Sequence, residues 1–407
     1  MVTLRIGARN IMRQPVRSAI SLTAIVFGVV SLLLSGGFIE WIFFAMREST
    51  VQSRLGHIQV ARAGYFAKGQ ADPSPFMLGD EAPELSRIAS SPELRVLTPR
   101  LTFGGLVSHG ENTVSFIGEG VDPEKEEKVS RFLFIVQGKG LSSSDPKGVI
   151  LGEGLAANLG VKVGDPIVLL INTTTGSINA VEAKVRGLFY TLSKQFDDAA
   201  LRLPISLSRE LLRTSGANIW IVLLDDTANT GRVLARLEKE FPKGSSAVEF
   251  KPWNELADFY NKTVALYSRQ MLVLKMIIGL IIILSIANTM TMNVLERTGE
   301  IGTLMALGAK GKEIMRLFLT EGFILGLTGG LTGLLLGFVL ARVISSHGIP
   351  MPPAPGMSRG FSGEIRLTWT LLANAFSIAV LTSLLASLYP AWKASRLQIV
   401  DALRHNR

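Results

Sequence analysis

The residues of this chain that could take part in catalysis are four histidines, two Gly-Lys dipeptides and scattered carboxylates. A phosphate-binding loop requires the pattern G-x-x-x-x-G-K-[ST], in which backbone amides cradle the phosphates and the lysine reaches them. Gly311-Lys312 is followed by Glu313, and the Gly-Lys pair at 138–139 is followed by glycine, so neither fits. There is no G-x-S-x-G or H-E-x-x-H motif and no cysteine, and the histidines are scattered at His57, His109, His347 and His405. We therefore expect no catalytic, cofactor-binding or metal-binding residue, and we predict that the chain is not an enzyme.

A short charged connector, residues 296–321, separates two long apolar stretches and carries the most informative pattern. Its apolar residues recur at helical spacing, at Ile301, Leu304, Met305 and Leu307. This spacing predicts one short helix that lies along a membrane surface and presents an apolar face. The charged side chains that are candidates for contact with a partner are Glu296, Arg297 and Glu300. A simple surface hairpin is the alternative interpretation.

The apolar stretch after this connector is rich in glycine at intervals of four residues. The glycines are Gly322, Gly326, Gly329, Gly330, Gly333 and Gly337. Small residues at such spacing let two membrane helices approach each other closely. The pattern predicts a tightly packed or sliding helix contact, whereas ordinary membrane-helix glycines would be scattered.

Four stretches are apolar enough to cross a bilayer, which takes about 20 residues. They are predicted at 18–46, 271–295, 322–341 and 367–392. No charged residue lies at the centre of any of them, which argues against an ion channel or a proton-coupled transporter. With 47% hydrophobic and 18% charged residues, the chain is predicted to be a membrane protein with a soluble part.

The basic residues near the spans predict the orientation of the chain. Residues 1–17 carry an arginine at every fourth position, at Arg5, Arg9, Arg13 and Arg17. This segment is predicted to be a cytoplasmic amphipathic helix, the alternative being the basic region of a signal peptide. The connector and the tail, 393–407, are also basic. The positive-inside rule places these three segments, with both termini, in the cytoplasm, and 47–270 and the loop 342–366 outside.

Residues 47–270 are predicted to form a large mixed α/β extracytoplasmic domain. The predicted strands are Leu55–Val60, Thr113–Val121, Gly148–Leu151, Pro166–Ile171, Val181–Tyr190 and Ile219–Leu224. The predicted helices are Gly152–Leu159, Ser206–Arg213 and Thr227–Phe241. The block is expected to divide into a part near the membrane and an inserted part near 111–215. No basic patch is interleaved with aromatic residues, so a nucleic-acid partner is not expected.

Several segments resemble the FtsX-like permeases of MacB-type ABC transporters. They are ARNIMRQPVRSAISLTAIVFGV near the N-terminus, ERTGEIGTLMALGAKGKEIMRLFLTEGFILGLTGGLTGLLLG in the middle and YPAWKASRLQIVDALR near the end. In the soluble block, LTPRL, FIGEGVDPEKE, GVILGEGLAANLGVKVGDPIVLL and VRGLFYT followed by DDAALRLP resemble the MacB-type periplasmic core domain. GHIQV, soon after the first span, is similar to the permeases of the lipoprotein-releasing system (LolC and LolE). Unlike a full MacB protein, the sequence has no fused ATPase.

The resemblance implies a multi-pass permease subunit in the bacterial cell inner membrane. Two permease chains, identical or different, would pair and recruit two copies of a separate ABC ATPase, which would bind ATP and magnesium. Closure of that ATPase would move the external domains, a process called mechanotransmission. The residues implied in ATPase coupling are Glu296, Arg297, Thr298, Gly299, Glu300, Ile301, Gly302, Thr303, Leu304, Met305, Ala306, Leu307 and Gly308.

Three functions are compatible with this resemblance. The first is lipoprotein release or related lipid handling, with membrane lipids and an acylated protein as partners. The second is export of drugs, peptides or siderophores with a periplasmic adaptor. The third is regulation of a cell-wall hydrolase, as in FtsX itself.

Overall fold

Residues 13, 15–69, 72–242, 246–353 and 359–398 are described by the structure, which is a computed structural model. Most of the predicted helix 1–17, tail residues 399–407 and loop residues 354–358 lie outside this part of the chain. The chain divides into two units. We call Met1–Phe44, Thr263–Pro350 and Ser362–Arg407 the helical unit, and Ala45–Lys262 with Met351–Phe361 the α/β unit.

The α-helices are numbered in chain order. They are α1 (Pro15–Thr50), α2 (Pro83–Ala89), α3 (Pro123–Val129), α4 (Glu153–Leu159), α5 (Lys194–Asp197), α6 (Ile205–Leu212), α7 (Thr230–Glu240), α8 (Trp253–Leu256), α9 (Asp258–Glu296), α10 (Thr298–Ala306), α11 (Gly311–His347) and α12 (Trp369–Ser395). Short π-helical or 3₁₀ turns occur at Val51–Leu55, Tyr65–Gly69, Ser74–Phe76 and Thr227–Asn229.

The β-strands are numbered in the same way. They are β1 (Ile58–Arg62), β2 (Leu94–His109), β3 (Asn112–Val121), β4 (Phe134–Gly138), β5 (Gly148–Gly152), β6 (Pro166–Asn172), β7 (Ile178–Tyr190), β8 (Ala200–Pro204), β9 (Ile219–Leu224), β10 (Val248–Pro252), β11 (Ile349–Met351) and β12 (Phe361–Gly363).

Within the described residues, four helices are long and apolar enough to cross a membrane: α1 with its terminal π turn, α9, α11 and α12. This confirms the prediction of a four-helix membrane part. The helices extend beyond the predicted apolar spans because helical hydrogen bonding continues past the apolar residues. A helix of 36 residues, such as α1, is about 54 Å long, against a hydrocarbon layer of about 30 Å.

The core of the helical unit is built from small and branched side chains of all four long helices. Ile25 and Val29 of α1, Ile282 of α9, Phe318 of α11 and Ala379 of α12 are essentially inaccessible to solvent. The hydroxyls of Ser383 and Ser387 in α12 are satisfied inside their own helix, since they donate to the carbonyls of Ala379 and Ser383.

The α/β unit is built on one ten-stranded sheet, with the order β10-β1-β9-β2-β3-β8-β5-β7-β4 and with β6 pairing both β2 and β7. The long strand β2 joins its two halves, since Leu94–Arg100 pairs with β9 and Arg100–His109 pairs with β3. One apolar core lies around β1, β9 and β10 with helices α2 and α7. The other draws on residues 101–212, close to the inserted part predicted near 111–215.

The structure confirms the mixed α/β prediction but adds strands that the sequence did not indicate. Five of the six predicted strands are present with small changes at their ends, whereas Leu55 ends a π turn and the strand begins at Ile58. The missed strands are β2, β4, β8 and β10 of the large sheet and the short pair β11 and β12. Pro99 and the pair Gly104-Gly105 interrupt the β-forming pattern of β2, and β8 carries Arg202 at a position that is buried.

Candidate functional site

The connector predicted to contact a partner folds as a separate short helix between two long ones. Helix α9 ends at Glu296, α10 covers Thr298–Ala306 and α11 begins at Gly311. Gly308 closes α10 with a φ of +100°, a conformation that favours glycine. The start of α11 is capped, since the Lys310 amide donates to Oε2 of Glu313 at 2.9 Å. The predicted connector helix is therefore present.

Helix α10 has one face in the core and one face exposed. Thr298, Gly299, Ile301 and Gly302 are buried, and Ile301 is only 2% exposed. In contrast, Leu304 is 41% exposed and Leu307 81% exposed. The predicted apolar set is thus divided: Ile301 anchors the helix, whereas Leu304 and Leu307 are available for contact. Gly302, being buried, belongs to the anchoring face.

Ion pairs hold α10 in place. Nη1 of Arg297 lies 3.1 Å from Oε1 of Glu321, and its Nε lies 3.0 Å from Oε2 of Glu300. Glu321 is almost completely buried in α11, so Arg297 compensates a carboxylate that would otherwise be costly to bury. The Arg297 guanidinium also stacks 5.8 Å from the ring centre of Phe318. This side chain therefore connects α10 to α11.

Glu296 and Glu300 of the connector also pair with the arginines that precede and begin α1. Arg17 forms an ion pair with Glu296, and Nη1 of Arg13 lies 3.7 Å from Oε1 of Glu300. Glu296, Arg297 and Glu300 were predicted from the sequence as partner contacts, and the structure gives each of them a partner within the chain. The i,i+3 spacing of Arg297 and Glu300 was visible in the sequence, but the pairing with Glu321 and Arg17 was not.

The six glycines of α11 between residues 322 and 337 form two stripes that contact different helices. A Cβ added to Gly322, Gly326 or Gly330 would lie against Ser387, Ser383 or Phe376 of α12. A Cβ added to Gly329, Gly333 or Gly337 would lie against Ile25, Val29 or Leu33 of α1. For Gly333 the distance to Cβ of Val29 would be 2.7 Å, which is closer than real Cβ contacts. Glycine therefore allows α11 to touch α1 and α12 along most of its length.

The part of the chain that the structure describes holds no candidate metal centre. No three His, Asp or Glu side chains there are close enough together to hold an ion. The connector is an arrangement of helices with two exposed leucines, Leu304 and Leu307, at its surface.

Two family models together match nearly the whole chain. The MacB-like periplasmic core domain matches residues 18–240. The FtsX-like permease C-terminal matches residues 272–399, which include α10 and both glycine stripes. The chain belongs to the FtsX-like, MacB-type permease family. The α/β unit is accordingly a MacB-type periplasmic core domain, and the membrane part is an FtsX-like permease domain.

Individual relatives point to the same family of ABC transporter permeases. The lipoprotein-releasing system transmembrane protein LolE of Haemophilus influenzae is 26% identical over 334 residues, covering 78% of this chain and 79% of that protein. LolC of Xylella fastidiosa (strain Temecula1) is 25% identical over 319 residues, covering 73% and 74%. The macrolide export ATP-binding/permease protein MacB of Salmonella paratyphi A is 30% identical over 207 residues, covering 49% of this chain and 30% of MacB. The FtsX-like chain is thus an ABC transporter permease of the Lol and MacB type.

Proposed function

We propose that this permease couples ATP hydrolysis by a separate ATPase to movement of its periplasmic core domain, and that it serves lipoprotein release or related lipid handling. In this proposal α10 is the coupling helix, and ATP and magnesium bind to the ATPase. A second permease chain completes the transporter. The similarity to LolE and LolC, which extends over about three quarters of each chain, supports the choice of substrate class.

The observation that carries the coupling role is the exposure of Leu304 and Leu307 on a helix whose other face is fixed. A partner that pushes on these side chains would move α10 and α11 together, because Ile301 is buried and Arg297 forms an ion pair with Glu321 of α11. Exposed leucines give apolar surface that a bound protein can bury. The basic flanks of the spans support a cytoplasmic position for this helix.

Glutamate substitutions at Leu304 and Leu307 test this role in the complex formed with the ATPase that co-purifies with the wild-type chain. We expect Leu304→Glu and Leu307→Glu to lower the amount of ATPase that co-purifies with the chain, or the transport obtained per ATP hydrolysed. The chain should still insert in the membrane. Ile178→Glu is the matched control, because Ile178 is 74% exposed in the periplasmic core domain. If both leucine variants bind and couple the ATPase like the wild type, α10 is not the coupling helix.

The substrate class is tested separately with an acylated protein. The complex is reconstituted into vesicles with a triacylated lipoprotein, and its release to the soluble fraction is measured with and without ATP. ATP-dependent release supports lipoprotein handling, and its absence with an active ATPase contradicts it.

The similarity to MacB favours one alternative, an export permease that works with a periplasmic adaptor. In that case the wild-type complex would capture an adaptor protein and would release no lipoprotein. The two assays therefore separate the two functions.

A further inference from the structure

At the end of α1, every carbonyl of the last turn, Val51–Leu55, has a hydrogen-bond partner. A helix normally leaves its last carbonyls without a partner inside the helix. Here the α-helix of Pro15–Thr50 continues as the π turn Val51–Leu55, and Gly56 donates its amide to the carbonyl of Val51 at 2.9 Å. The carbonyl of Gln52 accepts from the amide of Phe132 at 3.3 Å, and the carbonyl of Leu55 accepts from Nε2 of Gln59 at 3.2 Å.

The two carbonyls in the middle of this turn are bound by buried arginines. Nη2 of Arg202 donates to the carbonyl of Ser53 at 2.7 Å, and Nη1 of Arg100 donates to the carbonyl of Arg54. Arg100 and Arg202 are 2% and 1% exposed and are the largest fully buried side chains in the described part of the protein. They lie on different strands, β2 and β8. The helix end is therefore held at two adjacent points from two strands of the sheet.

Two carboxylates compensate the buried arginines. Nε of Arg202 donates to Oε2 of Glu119 at 2.8 Å, and Nη2 of Arg100 donates to Oε1 of Glu126 at 2.5 Å. Burial alone would raise the pKa of Glu119, but Arg202, then Arg100 and Arg54, lower it to about 2. Glu119 is therefore ionised at any physiological pH, and the cluster stays charged.

A buried charge cluster of this kind is poorly explained by stability alone. Apolar side chains of similar volume often stabilise a core equally well or better, because charged groups must be desolvated. Apolar side chains would not, however, bind the carbonyls of Ser53 and Arg54. Arginine suits this task because its planar group donates in several directions at once.

We propose that Arg100, Arg202, Glu119 and Glu126 form a clamp that passes movement of the first membrane helix to the periplasmic core domain. The role in transport rests on the proposed function, whereas the role as a clamp on α1 does not. The four residues act as positioning residues, since they fix the helix end and touch no substrate. Without the clamp, the turn Val51–Leu55 acts as a hinge, so movement of α1 bends this turn and does not reach the periplasmic core domain.

Charge-balanced double variants test the clamp in the full chain in detergent. Arg202→Met with Glu119→Gln removes the bond to Ser53, and Arg100→Met with Glu126→Gln removes the bond to Arg54. The control is Arg186→Met with Asp145→Asn, since Arg186 also pairs with a carboxylate at 2.8 Å and donates to the carbonyl of Gly140 at 2.6 Å, away from α1.

The first readout is amide hydrogen exchange in the peptide covering residues 47–57. We expect exchange there to rise roughly tenfold in both clamp variants and to stay unchanged in the control, with strand β9 still protected. Arg202→Lys covers the case in which a double variant fails to fold, because lysine keeps the charge but cannot donate to Glu119 and Ser53 with one planar group. Unchanged exchange in folded clamp variants overturns the clamp.

The second readout is transport per ATP hydrolysed in the reconstituted complex. We expect the clamp variants to retain ATPase activity and to lose most of the transport obtained per ATP. If amide exchange at residues 47–57 rises but transport per ATP stays normal, the clamp does not pass movement of α1 to the periplasmic core domain. If the wild type shows no ATP-dependent transport, the proposed function fails, and the exchange experiment still decides whether the clamp holds the helix.

Discussion

Alanine substitutions in the glycine stripe of α11 that contacts α1 give the sharpest test of the helix packing. A Cβ on Gly333 would lie 2.7 Å from Cβ of Val29 and 3.3 Å from the carbonyl of Val26. A Cβ on Gly329 would lie 2.9 Å from Cβ of Ile25. Both neighbours are branched at Cβ and stand close to the backbone, so they cannot rotate away.

The cost follows from these distances. Carbon atoms pack best at about 3.5–4.0 Å, so the two helices must separate locally by about 1 Å to admit the methyl group at Gly333. Overpacking of this kind costs about 1–3 kcal/mol, and the higher helix propensity of alanine offsets at most about 1 kcal/mol of that. We expect Gly333→Ala and Gly329→Ala to lower the free energy of unfolding by about 1–2 kcal/mol.

A graded series makes the prediction specific. Gly337→Ala should cost less, because the nearest atom is Cδ1 of Leu33 at 2.6 Å, the end of a side chain that can change rotamer. Gly279→Ala in α9 is the control, since its methyl group would meet only Cγ2 of Thr382 at an ordinary 3.5 Å. The measurement is the thermal unfolding midpoint of each full-length variant in the same detergent. Equal midpoints for Gly333→Ala and Gly279→Ala would refute the packing argument.

Two further predictions concern the start of the periplasmic core domain. Gly56 has φ +65° and ψ −173° and faces Ile221, so Gly56→Ala should lower the free energy of unfolding by about 1–3 kcal/mol. Gly110→Ala is the control and should cost less, because Gly110 has φ +58° but lies in open space. Thermal unfolding measures both variants, and a larger loss for Gly110→Ala would contradict the reasoning. Burial, opposed by Glu48 and Asp226, lowers the pKa of His57 from 6.5 to about 4. The unfolded chain therefore takes up this proton first, and the folded chain should lose about 3 kcal/mol as the pH falls from 6.5 to about 4. His57→Gln should remove this part of the pH dependence. If the free energy of unfolding falls equally with pH in the wild type and in His57→Gln, the prediction is wrong.

The parts of the fold that could be predicted from the sequence are those that depend on local pattern. The apolar stretches gave the four membrane helices, and the unbroken run at Ile219–Leu224 gave a strand with the observed ends. The connector helix followed from the spacing of Ile301, Leu304 and Leu307. These features need no knowledge of which segments meet in space.

The parts that could not be predicted depend on contacts between distant segments. Arg202 lies in the short stretch ALRLP, and only its position beside Glu119 and the helix end explains why an arginine is buried there. The glycine spacing in α11 indicated a close contact but not that α1 and α12 contact different stripes. For the same reason Glu321 looked like the edge of a span, whereas it is the buried partner of Arg297.

The glycine stripe and the arginine clamp act on the same helix, so loss of either should lower transport per ATP. Helix α1 touches α11 at Ile25, Val29 and Leu33 with no space for a methyl group, and its last turn is bound by Arg100 and Arg202. In the proposed mechanism, a displacement of α11 by its neighbour α10 is passed to α1, and the clamp keeps the end of α1 from turning freely. We therefore expect Gly333→Ala to lower transport per ATP as the clamp variants do, but with the exchange of residues 47–57 unchanged, because the contact is lost at the other end of the helix.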